Sequence, residues 1–444
     1  MSMASNTAAA LPEKKASYVQ SITIIGVLFF VFGFVTWLNG TLIPFLKIAC
    51  ELSIAEALLV TFAFYLAYLC LGLPSSFILK KTGFKNGMAL GLLVMAAGSL
   101  IFVPAANTRS FGMFLTGLFV QGAGLTLLQA ASNPYISIVG PIESAAKRIS
   151  IMGICNKVAG IIAPLVLSTI VLKNATALEE QIAAATDTAQ KSLLLDSLAS
   201  RVIGPYIVMA VVVALLAFMI KRSSLPEIDT SGNGTGTGGT SSDKTSVFQY
   251  PYLMLGVLCI FLYVGVEVMA GDVIGTYGNQ LGMSLDKTKY FTAFTLAAML
   301  VGYIIGIITI PKIISQDMSL RISAILGLVF TTCAYFTNGY TAVTFIALLG
   351  LANALMWPAI WPLAIDKLGK YTQLGSGLLV MGIVGGGVLP QVYSGLFNKE
   401  GLLGFLHSDS INFRQSFLYC MLPCYAYILY FAVAGHKVGK PKAA

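Results

Sequence analysis

Runs of about 20 predominantly apolar residues recur along the whole chain, and no other feature of the sequence restricts its fold so strongly. A helix rising 1.5 Å per residue needs about that many to cross a hydrocarbon core roughly 30 Å thick. The runs predict twelve transmembrane helices, at about 21–46, 55–79, 87–106, 110–139, 148–172, 201–220, 251–278, 289–310, 321–337, 341–365, 373–397 and 412–435. Composition agrees: 10% of the 444 residues are charged and 57% hydrophobic, against roughly 25% charged in a soluble domain. The fold class expected is an all-α, multi-pass membrane protein. The first run, ITIIGVLFFVFGFVTWL, reads as a span and not as a cleaved signal, because no small-residue cleavage site follows it.

Between helices 6 and 7 lies SSLPEIDTSGNGTGTGGTSSDKTS, a Gly/Ser/Thr-rich stretch that reads as a flexible linker. It divides the chain into an N-terminal bundle (1–222), a linker (223–250) and a C-terminal bundle (251–444). With both termini and the linker on the cytoplasmic side, 17 of the 27 Lys and Arg residues fall in inner segments, as the positive-inside rule requires. The net charge of +9 is therefore a mark of topology and no sign of a nucleic-acid partner. The longest outer loop, 173–200, carries Glu179, Glu180, Asp187 and Asp196. The seven cysteines form no disulfide framework or CxxC motif, and neither His407 nor His436 lies well inside a span. A histidine-based catalytic or metal site in the membrane is excluded.

The halves carry matching marks, as transporter folds built from repeats do. GAGLTLLQAASNP in helix 4 aligns with GLANALMWPAIWP in helix 10, Gly122 on Gly350 and Pro134 on Pro362; Met152-Gly153-Ile154 in helix 5 aligns with Met381-Gly382-Ile383 in helix 11. The basic turn LKKTGFKNG (79–87) resembles the loop between helices 2 and 3 of the major facilitator superfamily, without its usual acidic residue. That resemblance implies substrate binding between two six-helix bundles, near the bilayer midplane.

Mid-helix polar groups are then the candidates for chemistry. Lys157, in SIMGICNKVAGIIAPLVL, lies about 13 Å into helix 5 at 1.5 Å per residue, too deep for easy escape to the interface. Of the eighteen acidic residues, Glu267 and Asp272 on helix 7 alone lie well inside a span. An intramembrane charge is a functional hypothesis with a partner to be named. For Lys157 the candidates are these two carboxylates, or a cage of carbonyls and amides from helices 1 and 4. Five residues turn a regular helix about 140°, so Glu267 and Asp272 share a face only if the helix bends, which Gly265, Gly271, Gly275 and Gly278 permit. Helix 1 adds Thr36, Trp37, Asn39 and Thr41; helix 4 adds Gln121, Gln129 and Asn133; helix 5 adds Asn156; helix 10 adds Asn353, Trp357 and Trp361. Amides beside flat aromatic faces suit a neutral polyhydroxylated ligand, hydroxyls on amides and a C–H face on indole. The plainer alternatives are packing for the two tryptophans, backbone satisfaction before Pro134 for Asn133, and a structural salt bridge for Lys157.

NPYISIVGP in helix 4, RISIMGICNKVAG in helix 5, LNGTLIPFLK in helix 1 and VGVEV in helix 7 resemble the fucose-galactose-glucose-hexosamine branch of bacterial sugar symporters. LNGTLIPFLK and EVMAGDVIG are most similar to its glucose/galactose and N-acetylglucosamine transporters. The resemblance implies that Asn156 is a sugar contact. The carboxylates tied to proton coupling in L-fucose members do not carry over, since Gly40 and Gln129 stand at their positions.

The expectation is a cation-coupled symporter that imports a hexose or hexosamine across the bacterial inner membrane, monomeric, with no bound cofactor. The substrate residues expected are Asn39, Gln129, Asn133, Asn156, Trp357, Trp361 and Glu267. Coupling is expected at Lys157, Glu267 and Asp272, with Na⁺ or H⁺ as the ion. Glu267 and Asp272 are the possible Na⁺ ligands. A uniporter or exchanger with a structural Lys–carboxylate pair is the alternative, and a membrane-embedded enzyme or sensor a remote one.

Overall fold

The computed structural model describes residues 12–138, 145–185, 187–223, 225, 246–310, 313–368 and 371–440, so most of the expected linker lies outside the described residues. Eleven helical segments are long and apolar enough to cross a membrane. One of them, Ile54–Asn107, has 54 residues, about 80 Å of helix where one crossing needs roughly 30 Å. It turns at Gly83, whose φ of 76° is left-handed and costs glycine little. A Cβ on Gly87 would lie 2.2 Å from Leu79 Cδ2, so the two arms pack against each other at the turn. They are helices 2 and 3, and the described residues make twelve crossings.

Helices 4, 5, 6, 8, 9 and 12 are continuous: Phe111–Ile138, Ala145–Val171, Ile203–Arg222, Phe291–Thr309, Gln316–Phe336 and Phe413–Val433. Four are broken, three of them expected as continuous and helix 7 as its glycines permit. Helix 1 runs Pro12–Thr36 and Asn39–Ala49, helix 7 Pro251–Gly271 and Ile274–Gln280, helix 10 Gly339–Asn353 and Met356–Ile365, and helix 11 Thr372–Gly382 and Gly385–Phe397. In helix 10 the cause is proline, which removes a donor and crowds the carbonyl four residues back. Pro358 sits four residues after Ala354, at the break. Pro362 frees the carbonyl of Pro358, which accepts from Gln316 Nε2 at 2.7 Å. That is how a spanning helix tolerates proline.

The segment 173–200, expected on the outer side, is not an open loop. It forms two short helices, Ala175–Ala184 and Thr188–Ser200, the second capped by Asp187, which accepts from Ala189 N at 3.1 Å. Arg109, in the turn between helices 3 and 4, bonds Asp196 at 2.6 Å. Thr176 Oγ1 accepts from Asp286 N at 3.4 Å and Leu172 O from Lys289 Nζ at 3.3 Å, joining this cover to the start of helix 8.

The repeat seen in the sequence recurs as contacts. A Cβ on Gly122 would lie 2.2 Å from Phe64 O on helix 2, and one on Gly350 would lie 2.1 Å from Thr295 O on helix 8. The aligned glycines thus allow helix 4 to close on helix 2 and helix 10 to close on helix 8. Helices 1 and 5 cross at Gly33, where a Cβ would lie 1.8 Å from Asn156 O; helices 7 and 11 cross at Gly385, with Phe261 O 1.8 Å from its added Cβ. Between the halves, helix 2 packs on helix 11, with Gly72 against Met381, and helix 5 on helix 8, with Gly153 against Tyr303. Neither side chain nor solvent can share such a crossing. Gly33→Ala is accordingly expected to force helices 1 and 5 apart and cost about 3 kcal/mol, the upper end for overpacking, read as loss of monodisperse protein on heating in detergent. Gly112→Ala, with no atom within 4 Å of its added Cβ, is the neutral control.

Candidate functional site

Lys157 reaches across from helix 5 to helix 7. Its ammonium donates to Glu267 Oε1 at 2.9 Å, and the two side chains are 6% and 12% exposed. Of the two expected carboxylate partners, it takes Glu267. The pair joins the first six helices to the last six at the depth where an isolated charge is most costly.

Trp37, at the break of helix 1, covers this pair. Lys157 Nζ lies 4.3 Å from the centre of the indole, within cation–π range. The indole Nε1 donates to Asn156 Oδ1 at 3.5 Å, and Asn156 Nδ2 donates to Phe29 O at 3.4 Å. Two glycines make room for the ring: a Cβ on Gly160 would lie 2.5 Å from Trp37 Cδ1 and one on Gly271 2.3 Å from Cζ3. Trp37 is thereby wedged between helix 5 and helix 7. Tyr65, Tyr263, Tyr303 and Tyr425 surround Glu267 from helices 2, 7, 8 and 12. They bring hydroxyls and ring faces to one place, a mixture that matches a ligand with hydroxyl edges and apolar C–H faces.

The aromatic row extends into helix 10. Tyr263 and Trp357 have ring centres 6.3 Å apart, and Trp357 and Trp361 are 5.2 Å apart with a 31° tilt. Trp357 is half-buried and Trp361 buried. On helix 4, Gln129 Nε2 donates to Tyr68 OH at 3.0 Å, and Tyr68 stacks on Tyr65 at 6.0 Å. Asn133 lies one turn further along the same helix, half-buried. Two other mid-helix amides are turned into the bundles: Gln121 Nε2 donates to Ser99 Oγ on helix 3 at 2.8 Å, and Asn353 Oδ1 accepts from Tyr425 OH at 2.9 Å.

Asp272 lies near enough to feel the charges of Glu267 and Lys157 but makes no direct bond to either. Helix 7 breaks at this residue, where the N–H groups of both Asp272 and Val273 point to Val268 O. The carboxylate is 1% exposed and faces Gly40 on helix 1 and Thr292 on helix 8. Asn39, expected at the sugar, precedes that glycine in the chain and is 1% exposed. The bend anticipated from the glycines is present, and it separates the two carboxylates in partner.

Sequence reasoning singled out the amides and charges but missed the tyrosines. A signal was present for Tyr263, four residues before Glu267 and so on its face of the helix. Tyr65 and Tyr68 are three apart on helix 2, but their direction depends on how helix 2 meets helix 11, which no local pattern records.

Comparison with known proteins agrees with this architecture. The Major Facilitator Superfamily profile matches residues 25–390. The chain is 31% identical over 430 residues to the glucose/galactose transporter of Brucella abortus, covering 96% of each chain. It is 26% identical over 419 residues to the L-fucose-proton symporter of Escherichia coli, covering 94% of this chain and 93% of that one. The crystal structure of the transporter FucP in its outward conformation superposes with a TM-score of 0.73 at 26% identity, covering 94% of this chain and 98% of that one. With twelve apolar crossings, a repeated six-helix pattern and a polar centre between the halves, this chain belongs to the major facilitator superfamily, a family of membrane transporters and not of enzymes.

Proposed function

We propose that the protein is a cation-coupled symporter that imports a hexose or hexosamine across a bacterial inner membrane by alternating access, as a monomer with its termini in the cytoplasm. The observation that carries the reading is the Lys157–Glu267 bond, made between the two halves and roofed by Trp37 and Asn156. A pair so placed can form in one arrangement of the halves and part in the other, which lets a ligand at the interface bias their rocking. Sugar hydroxyls would meet Asn156, Gln129, Asn133 and Glu267, and its C–H face the Trp357–Trp361 row. The names of the glucose/galactose and fucose-proton relatives support the same ligand class.

Proteoliposomes carrying the full chain are expected to accumulate one or more of labelled glucose, galactose, mannose and N-acetylglucosamine when a Na⁺ or proton gradient is imposed at fixed membrane potential. Uptake of every sugar in the panel indifferent to both gradients would exclude symport. The completeness of the Lys157–Glu267 bond favours one second reading, an exchanger in which the pair is purely structural. Glu267→Gln separates the two: a coupled carrier keeps sugar exchange and loses accumulation, whereas a structural pair loses folding or both activities together.

A further inference from the structure

Asp272 is a carboxylate at 1% exposure that no side chain hydrogen-bonds and that meets one backbone group, the Gly40 N–H, inside a membrane protein whose nearby ammonium is already engaged by Glu267. Buried as an anion with so little to satisfy it, such a group costs several kcal/mol. Its neighbours share the deficit. Both polar atoms of the Asn39 side chain and the hydroxyl of Thr41 are buried without partners, and these residues flank Gly40. A Cβ on Gly40 would lie 2.5 Å from Thr292 Oγ1 and 3.1 Å from Asp272 Oδ1, so those two oxygens converge on the glycine. The carbonyl of Gly40 loses its regular helical partner too, because the residue four positions on is Pro44.

We propose that Asp272, Thr292 and the Asn39–Thr41 segment form a binding site for one sodium ion, at the junction of the breaks in helices 1 and 7 and separate from the Lys157–Glu267 pair. The chemistry is that of a hard cation: one carboxylate, hydroxyls, an amide oxygen and backbone freed by a broken helix. Charge selects a monovalent ion, since one carboxylate and one Na⁺ leave the site neutral. Among the described residues no group of three or more His, Cys, Asp and Glu side chains is placed to hold a metal ion, so the site offers too little negative charge for a divalent one. Glu267, committed to Lys157, is not a ligand. Helix 1 belongs to one half and helices 7 and 8 to the other, so an ion held here draws the halves together on the flank of Trp37, whose ring touches Gly271 beside Asp272. The site deepens the symport reading, on which its role in coupling rests.

The test is equilibrium binding of ²²Na⁺ to the purified full chain without sugar. Wild type is expected to bind it saturably, displaced by unlabelled Na⁺ and not by K⁺. Asp272→Asn and Thr292→Ala are each expected to weaken binding by about tenfold or more, the loss of one charge-assisted contact. Thr292→Ala keeps the test decisive should the Asp272 variant fail to fold. No saturable binding by wild type, binding unchanged in Thr292→Ala, or binding abolished by Glu267→Gln and kept in Asp272→Asn would each overturn the assignment. So would a site that responds to protons alone. Hexose counterflow by wild type, which needs no ion gradient, tests the sugar reading separately. Sodium binding without counterflow sinks that reading and leaves the site; counterflow without sodium binding does the reverse.

Discussion

Lys157→Met is expected to lower the stability of the folded chain by about 3–5 kcal/mol, because it leaves Glu267 buried and unpaired. Glu267→Gln should cost less, since Glu267 is the more exposed partner and its amide can still accept from the ammonium. The double variant is expected to recover most of the loss, because replacing both members of a buried pair by neutral groups is often neutral or stabilising. Gradient-driven sugar accumulation should stay absent in all three. Thermal unfolding in detergent, followed by size-exclusion profile, reads the first effect, and proteoliposome uptake the second. A Lys157→Met protein as stable as wild type would mean that the ionic bond is not formed in the membrane.

The second large effect is expected at Trp37. Truncation to alanine removes a 2% exposed indole and opens a cavity between two glycines that cannot fill it, at a cost of about 3–5 kcal/mol. It also strips the cation–π cover from Lys157 and the donor from Asn156. Trp37→Phe keeps a ring face for the ammonium and loses the N–H, so it should retain most of the stability while weakening sugar binding. A binding assay on the two variants separates packing from positioning: equal loss in both would assign the whole effect to the N–H.

Much of this was legible in the sequence, because the membrane writes its demands in a coarse alphabet. Apolar length set the crossings, and glycine and proline at constant offset announced the repeat. The cost of an ammonium at mid-depth marked Lys157 as needing a partner, and the shortage of intramembrane acids left two carboxylates beside a cage of carbonyls and amides as the choices. What was not legible depended on direction. Apolar runs say nothing about where a helix breaks, so the interruptions in helices 1, 10 and 11 went unseen, although Pro358 marks one of them; the break in helix 7 was signalled by its glycines. The tyrosines around Glu267 look like any aromatic facing lipid until helices 2, 8 and 12 are placed. The two helices of segment 173–200 lack the hydropathy that identified the others, and their place is held by bonds such as Arg109–Asp196, far apart in sequence.

The paired crossings at Gly33 and Gly385 differ in which partner gives way. Where helices 1 and 5 meet, the glycine is on helix 1; where helices 7 and 11 meet, it is on helix 11. The backbones approach equally closely in both, yet in the first half helix 5 is left free to bear Asn156 and Lys157, while the matching stretch of helix 11 is Gly385-Gly386. A Cβ on Gly386 would already lie 2.9 Å from Val268 Cγ2 and 3.1 Å from the ring of Tyr65. The two copies differ without altering their frame: one carries a long cationic side chain, the other a glycine on which Val268 and the Tyr65 ring close. With the crossing glycine on helix 1, helix 5 keeps room for side chains at Asn156 and Lys157; with it on helix 11, the matching positions are themselves glycines.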